Sequence, residues 1–188
     1  MQRFSAFALT GLLLIAPAVL AQQFSPPEQL AHAGKIYKLA YKQVAPNGRA
    51  IYEYTTNGEP VENWTTMITL NYGKGMNVSA ERWTNVMKAS LEQKSPKAPF
   101  RVHAAGTSGY ARFVLEPDRT NPTYESNVHK SFHMDKCGGL LVYQFAVKSP
   151  AGADTSAAGK AATLEAVNKE NEKLAAEMEK SSWTPDCK

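Results

Sequence analysis

The feature that most constrains the fold is the repeated alternation of strand-like segments with turn residues, which only two segments of helical period interrupt. The strand-like segments are rich in β-branched and aromatic residues and are bounded by Gly, Pro, Asn or Asp. They span residues 36–42, 50–55, 63–72, 100–105, 110–116, 124–134 and 140–148. Asn47-Gly48 is a strong hairpin signal between the first two segments. The pattern predicts a mainly antiparallel sheet of six to seven strands.

The two segments of helical period predict a central helix and a long C-terminal helix. Ser79 can cap the central helix, at about residues 79–94, whose apolar face comprises Trp83, Val86, Met87 and Leu91. The C-terminal helix is expected at about residues 158–181, after a flexible connector at 149–160. Residues 22–34 are expected to hold one or two helical turns. Strands with both helices packed on the sheet define the α+β class.

The C-terminal helix admits a second interpretation, a coiled coil. Its apolar residues recur at heptad spacing, with one polar residue on the same stripe: Leu164, Val167, Asn171, Leu174 and Met178. The pattern lasts about two heptads, whereas a coiled coil requires at least three or four. It therefore favours packing of the helix across the sheet of its own domain.

The first 21 residues have the features of a cleaved signal peptide. Arg3 precedes an apolar run that Pro17 interrupts and that ends in small residues at Ala21. The alternative is a retained membrane anchor, but the run is shorter than the ~20 apolar residues that a spanning helix needs. No Cys stands at the cleavage point to accept a lipid. We expect a mature chain that begins at Gln22 and is periplasmic or secreted.

Length and charge narrow the class of the mature chain. The 167 residues after Ala21 suffice for a single domain, 22–188, with a hydrophobic core. They carry 20 basic and 17 acidic residues, a net charge of +3. This excess permits at most weak contact with an anionic membrane surface. It is far below the dense basic stripe of a nucleic-acid-binding protein, so no nucleic-acid partner is expected.

Both cysteines, Cys137 and Cys187, lie in the expected exported part. A single pair without metal-type spacing usually forms a disulfide in an oxidising compartment. The alternative is a reactive thiol, but the residues around Cys187 resemble no redox or nucleophile motif. We predict a bridge that ties the C-terminus to the body of the domain.

Histidines supply the candidate chemistry. His129 and His133 are four residues apart on one predicted strand, which places both on one face, with Asp135 just beyond. Such a set can begin a metal site, but four strand residues span about 13 Å, too far for one ion. We therefore predict no metal and no cofactor. Alternation along neighbouring strands extends this polar, partly cationic face to Arg101, His103, Arg112 and Glu116.

Two further features carry weaker signals. Gly73-Lys74-Gly75 before the central helix is typical of a turn, with anion binding as the alternative, and it matches neither glycine-rich phosphate motif. Trp64 stands where a turn becomes a strand and is a candidate recognition residue. No motif indicates a catalytic residue.

Residues 58–69, GEPVENWTTMIT, resemble a G-E-x-x-E-N-W-T-x-x-[IV]-T segment of small exported bacterial proteins of uncharacterised function. Residues 125–130 and 141–146 are similar to strands of the same group. The order of elements also resembles that of PsbP and Mog1 proteins, which implies a binding or assembly scaffold and no residue role.

These features together predict an exported, non-catalytic binding protein that recognises an envelope or secreted protein partner, with an inhibitor or immunity protein as one form. The candidate binding residues are Trp64, Arg101, His103, Arg112, His129 and His133. The alternative is a hydrolase of an envelope polymer that uses a histidine of the polar sheet face.

Overall fold

The computed structural model describes residues 22–188, and the predicted signal peptide lies outside the described residues. This part of the chain contains eight strands and two helices. In chain order they are β1 (Gln29–His32), β2 (Lys35–Val44), β3 (Arg49–Thr55), β4 (Thr66–Lys74), α1 (Ala80–Lys94), β5 (Phe100–Ala105), β6 (Ser108–Leu115), β7 (Thr123–Met134), β8 (Gly139–Pro150) and α2 (Ala157–Lys180). The prediction of the α+β class is confirmed. Neither described helix is long and apolar enough to cross a membrane.

The strands form one antiparallel sheet in the order β1-β2-β3-β4-β8-β7-β6-β5. The sheet has eight strands rather than six to seven because residues 29–32, expected to be helical, form β1. Ala33 and Gly34 both have positive φ, 47° and 72°, and turn the chain back onto β2. This pairs Leu30 with Tyr37, and both side chains are buried. Burial in the sheet overrides the local helical preference.

The two helices pack on opposite faces of the sheet, which we call the α1 face and the α2 face. Helix α1 covers β5, β6 and part of β7 and buries Trp83 and Leu91. The prediction that Val86 belongs to its buried side is wrong, since Val86 is 64% exposed. Helix α2 lies over β6 and β7, and its buried residues are Val167, Asn171 and Met178. The heptad stripe of α2 thus packs on the chain's own sheet.

The main core lies on the α2 face of the other half of the sheet. Its fully buried side chains include Tyr37, Tyr54, Ile68, Leu70 and Leu141. The two ends of the described chain complete this core, since Phe24 forms a β-bridge with Cys187 and Trp183 contacts the rings of Phe132 and Tyr143. The sulfurs of Cys137 and Cys187 lie at bonding distance, with their Cα atoms 5.6 Å apart, as predicted.

The fit of α1 on the sheet depends on a glycine. A Cβ at Gly109 in β6 would collide with Trp83 and Thr84 of α1 and with Ser131 of β7. We expect Gly109→Ala to lower the free energy of unfolding by about 1–3 kcal/mol, as overpacking does, measured by urea denaturation. The control is Gly106→Asn: Gly106 has positive φ but open space around it, so a loss of about 1 kcal/mol or less is expected. Equal losses would contradict the close packing of α1.

Candidate functional site

The sheet separates the predicted binding residues. Arg101 and His103 of β5 pair with Arg112 and Tyr110 of β6, and Arg112 pairs with Val128 of β7. Arg101, His103 and Arg112 therefore lie on the α2 face. The expectation that they share a face with the histidines of β7 is wrong. The reason is register: a shift of one residue between strands reverses the face of every side chain, and the alternation within one strand does not fix that shift.

His129 and His133 lie together on the α1 face, as their spacing predicted. His129 is buried, its ring lies 5.1 Å from that of Phe113, and neither ring nitrogen has a hydrogen-bond partner in the described structure. Burial lowers the pKa of His129 to about 4, so its imidazole is neutral at pH 7. His133 is exposed, with Nε2 3.1 Å from Oδ1 of Asp135. Within residues 22–188, no group of three or more metal-binding side chains is suitably placed to hold an ion.

The basic residues of the α2 face line a cavity of about 340 Å³ between β5, β6, β7 and helix α2, which we call the α2 cleft. His129 of β7 also borders this cavity, although by register its side chain belongs to the α1 face. Nη1 of Arg112 donates to Oδ1 of Asn168, and its Nη2 donates to Oε1 of Glu172, both at 2.8 Å. These bonds hold the Arg112 side chain, which is only 16% exposed. The cleft is therefore a polar site in which the charge of Arg112 is already paired with that of Glu172.

The α2 cleft contains acidic residues that the sequence did not assign to it. Glu172 and Glu179 both come from α2, and Oε1 of Glu179 lies 3.4 Å from Nε2 of His103. Their separation of seven residues places them on one side of a helix, which was a usable signal. Pairing them with the basic residues of β5 and β6 required the position of α2 on the sheet.

A second concave surface lies on the α1 face, where α1 leaves β2, β3 and β4 uncovered. It is a groove of about 470 Å³, which we call the open-face groove. Its apolar lining includes Ile51, Met76, Trp83, Leu140 and Val142. Among the described residues that line the groove, Arg49 carries a positive charge and none is acidic. Arg49 and Met76 are exposed, so the surface is open to a large partner.

The segment 73–75 shapes this groove. A Cβ at Gly73 would collide with the side chain of Met76, so the glycine allows Met76 to lie against the end of β4. Gly75 has a φ of 73° and completes the turn toward α1. The turn interpretation of Gly73-Lys74-Gly75 therefore has a structural reason. An exposed methionine is an adaptable contact residue because its side chain is flexible and polarisable.

Trp64 lies near the same face but is buried, with 8% exposure, against Met67 and Ala146. Nζ of Lys148 lies 4.2 Å from the centre of the indole ring, within range of a cation–π interaction. In this conformation the indole fixes the loop before β4 rather than presenting a free stacking surface.

The fold and its surfaces define a class of protein: an α+β domain with an eight-stranded antiparallel sheet, half of one face uncovered, and a tail held near its core. A protein-family model matches residues 24–183, and the chain belongs to that family, which is uncharacterised in function. No curated protein and no solved structure matches the chain.

Proposed function

We propose that the mature chain is an exported, non-catalytic binding protein that recognises an envelope or secreted protein partner through the open-face groove. The groove is the observation that carries this proposal. It combines apolar side chains with exposed rim residues, the composition of a protein-docking surface. Its breadth favours a protein segment over a small ligand, because small ligands bind where most of their surface is enclosed.

Export rests on residues 1–21 and on the cysteine pair. A signal peptide would deliver the chain to a compartment where a bridge between Cys137 and Cys187 persists, and the bonding distance of the two sulfurs is consistent with that. The resemblance of the GEPVENWTTMIT segment to small exported bacterial proteins supports the same compartment. The resemblance of the element order to PsbP and Mog1 proteins supports a scaffold role.

The lining of the groove indicates the chemistry of the partner. Arg49 is exposed and, in the described part of the chain, forms no salt bridge. Ile51, Val142 and Met76 lie on the floor and at the rim of the groove. A partner segment with an apolar side chain beside a carboxylate complements both features, since opposite charges steer association and the apolar contact supplies affinity.

A photocrosslinking amino acid at Gln43, which is exposed and lines the groove, tests the proposal in intact cells. We expect a specific crosslinked protein from Gln43 and none from the same probe at Lys169, an exposed residue of α2. Arg49→Glu in the Gln43 background should lower the yield about tenfold or more, as loss of an interfacial charge pair does. Arg82→Glu, an equal charge change on exposed α1, should not.

Two outcomes would contradict the proposal. One is a crosslink that persists unchanged in Arg49→Glu, because the groove would then not select the partner. The other is the absence of any crosslink from Gln43 together with turnover of an envelope polymer by the pure protein, which would favour a hydrolase.

A further inference from the structure

We propose that the α2 cleft binds a small zwitterionic ligand of the amino-acid class. The cleft lies on the opposite face of the sheet from the open-face groove, so this site is independent of the partner surface.

The cationic side of the site is Arg101. Arg101 and Arg112 are direct cross-strand partners on the same face, an arrangement that costs free energy unless the charges are compensated. Glu172 compensates Arg112 at 2.8 Å. Arg101 is exposed and has no salt bridge within the described residues. A ligand carboxylate can pair with its guanidinium by two parallel hydrogen bonds.

The anionic side of the site is Glu179. Its side chain is 46% exposed, and its partner in the cleft is the imidazole of His103 rather than an arginine or a lysine. The imidazole itself is stacked on Tyr110, with ring centroids 5.4 Å apart and planes 17° from parallel. This stacking fixes one wall of the cleft. A ligand ammonium group can pair with the remaining carboxylate oxygen of Glu179.

The floor between the two charges is apolar and lies close to small residues. Val128 and Met178 line it. On the helix side the lining residues Ala175 and Ala176 have small side chains, which leave room for a ligand. The volume of about 340 Å³ is at the small end of ligand pockets, which span roughly 300–1,000 Å³. One carboxylate, one ammonium and a short apolar side chain match an amino acid.

Isothermal titration of the purified mature protein with each common amino acid at millimolar concentration tests the inference. We expect at least one amino acid to bind. Its amide lacks the carboxylate and its N-acetyl derivative lacks the ammonium group, so we expect each derivative to bind at least about tenfold more weakly than the parent. Arg101→Gln and Glu179→Gln should each weaken binding of the parent ligand by a similar factor. Arg119→Gln and Glu170→Gln, exposed residues outside the cleft, are the matched controls.

Arg49→Glu should bind the ligand as the wild type does, which separates this site from the partner surface. Heat capacity scans of each variant show whether it is folded. The proposal is overturned if no common amino acid binds, if the amide and the N-acetyl derivative bind as tightly as the parent, or if folded Arg101→Gln and Glu179→Gln bind it unchanged.

Discussion

Replacing Cys137 and Cys187 together by serine is expected to lower the free energy of unfolding by about 4 kcal/mol, the chain-entropy value for a crosslink that closes 50 residues. The bridge joins the turn before β8 to the C-terminal segment, whose Trp183 packs on Phe132 and Tyr143. Without it, that segment keeps these contacts, the backbone pairing around the β-bridge to Phe24, and the hydrogen bond from Nζ of Lys130 to the carbonyl of Ser181. Urea denaturation at pH 7 measures the loss.

Reductant supplies the control for this prediction. It should bring wild-type stability close to that of the double-serine variant and should leave the variant itself unchanged. Two free thiols in the intact mass of the protein purified without reductant, or equal stability of wild type and variant, would contradict the crosslink.

Acidification is expected to destabilise the protein through His129. The unfolded chain binds a proton on this imidazole near pH 6.5, whereas burial lowers the pKa in the folded protein to about 4. Between these values the unfolded state holds more protons, so the free energy of unfolding falls as pH falls through this range. From pH 7 to pH 4.5 the loss from His129 is about 2 kcal/mol. His32, whose pKa burial also lowers to about 4, adds a loss in the same direction.

His129→Leu removes this proton-binding site while keeping an apolar side chain of similar size. We expect its stability to fall about 2 kcal/mol less than that of the wild type between pH 7 and pH 4.5. Met87→Leu is the control, because it changes a partly buried side chain of the same face and removes no titratable group, so the wild-type pH dependence should persist. The same pH dependence in His129→Leu and wild type would show that His129 is protonated at little cost.

Most strands and both helices were located by the period of their apolar residues. Alternation located β7 although its side chains from Ser126 to Phe132 are buried on both faces, and helical spacing located α1. Strand β1 lacked such a signal because it is four residues long and only Leu30 is buried. Val86 was misplaced because α1 packs on the sheet through the side that contains Ala80, Trp83 and Thr84. Helical spacing alone does not distinguish this side from the neighbouring one that contains Val86.

The surfaces were less accessible to sequence reasoning than the elements. Alternation along the strands predicted that Arg101, His103 and Arg112 lie next to one another. It did not predict on which face of the sheet they lie, because that depends on the register between β6 and β7. The open-face groove was not predicted, because it results from the position of α1 over one half of the sheet. Its residues Ile51 and Val142 are apolar strand residues of the kind that usually belong to a core.

We propose that the open-face groove selects a protein partner. The most direct measurement is the affinity of the purified partner, identified by crosslinking from Gln43, for wild-type protein and for Arg49→Glu and Ile51→Asp variants shown to be folded. We predict that each variant binds about tenfold or more weakly and that Arg82→Glu binds like the wild type. Wild-type affinity in both folded groove variants would contradict the claim.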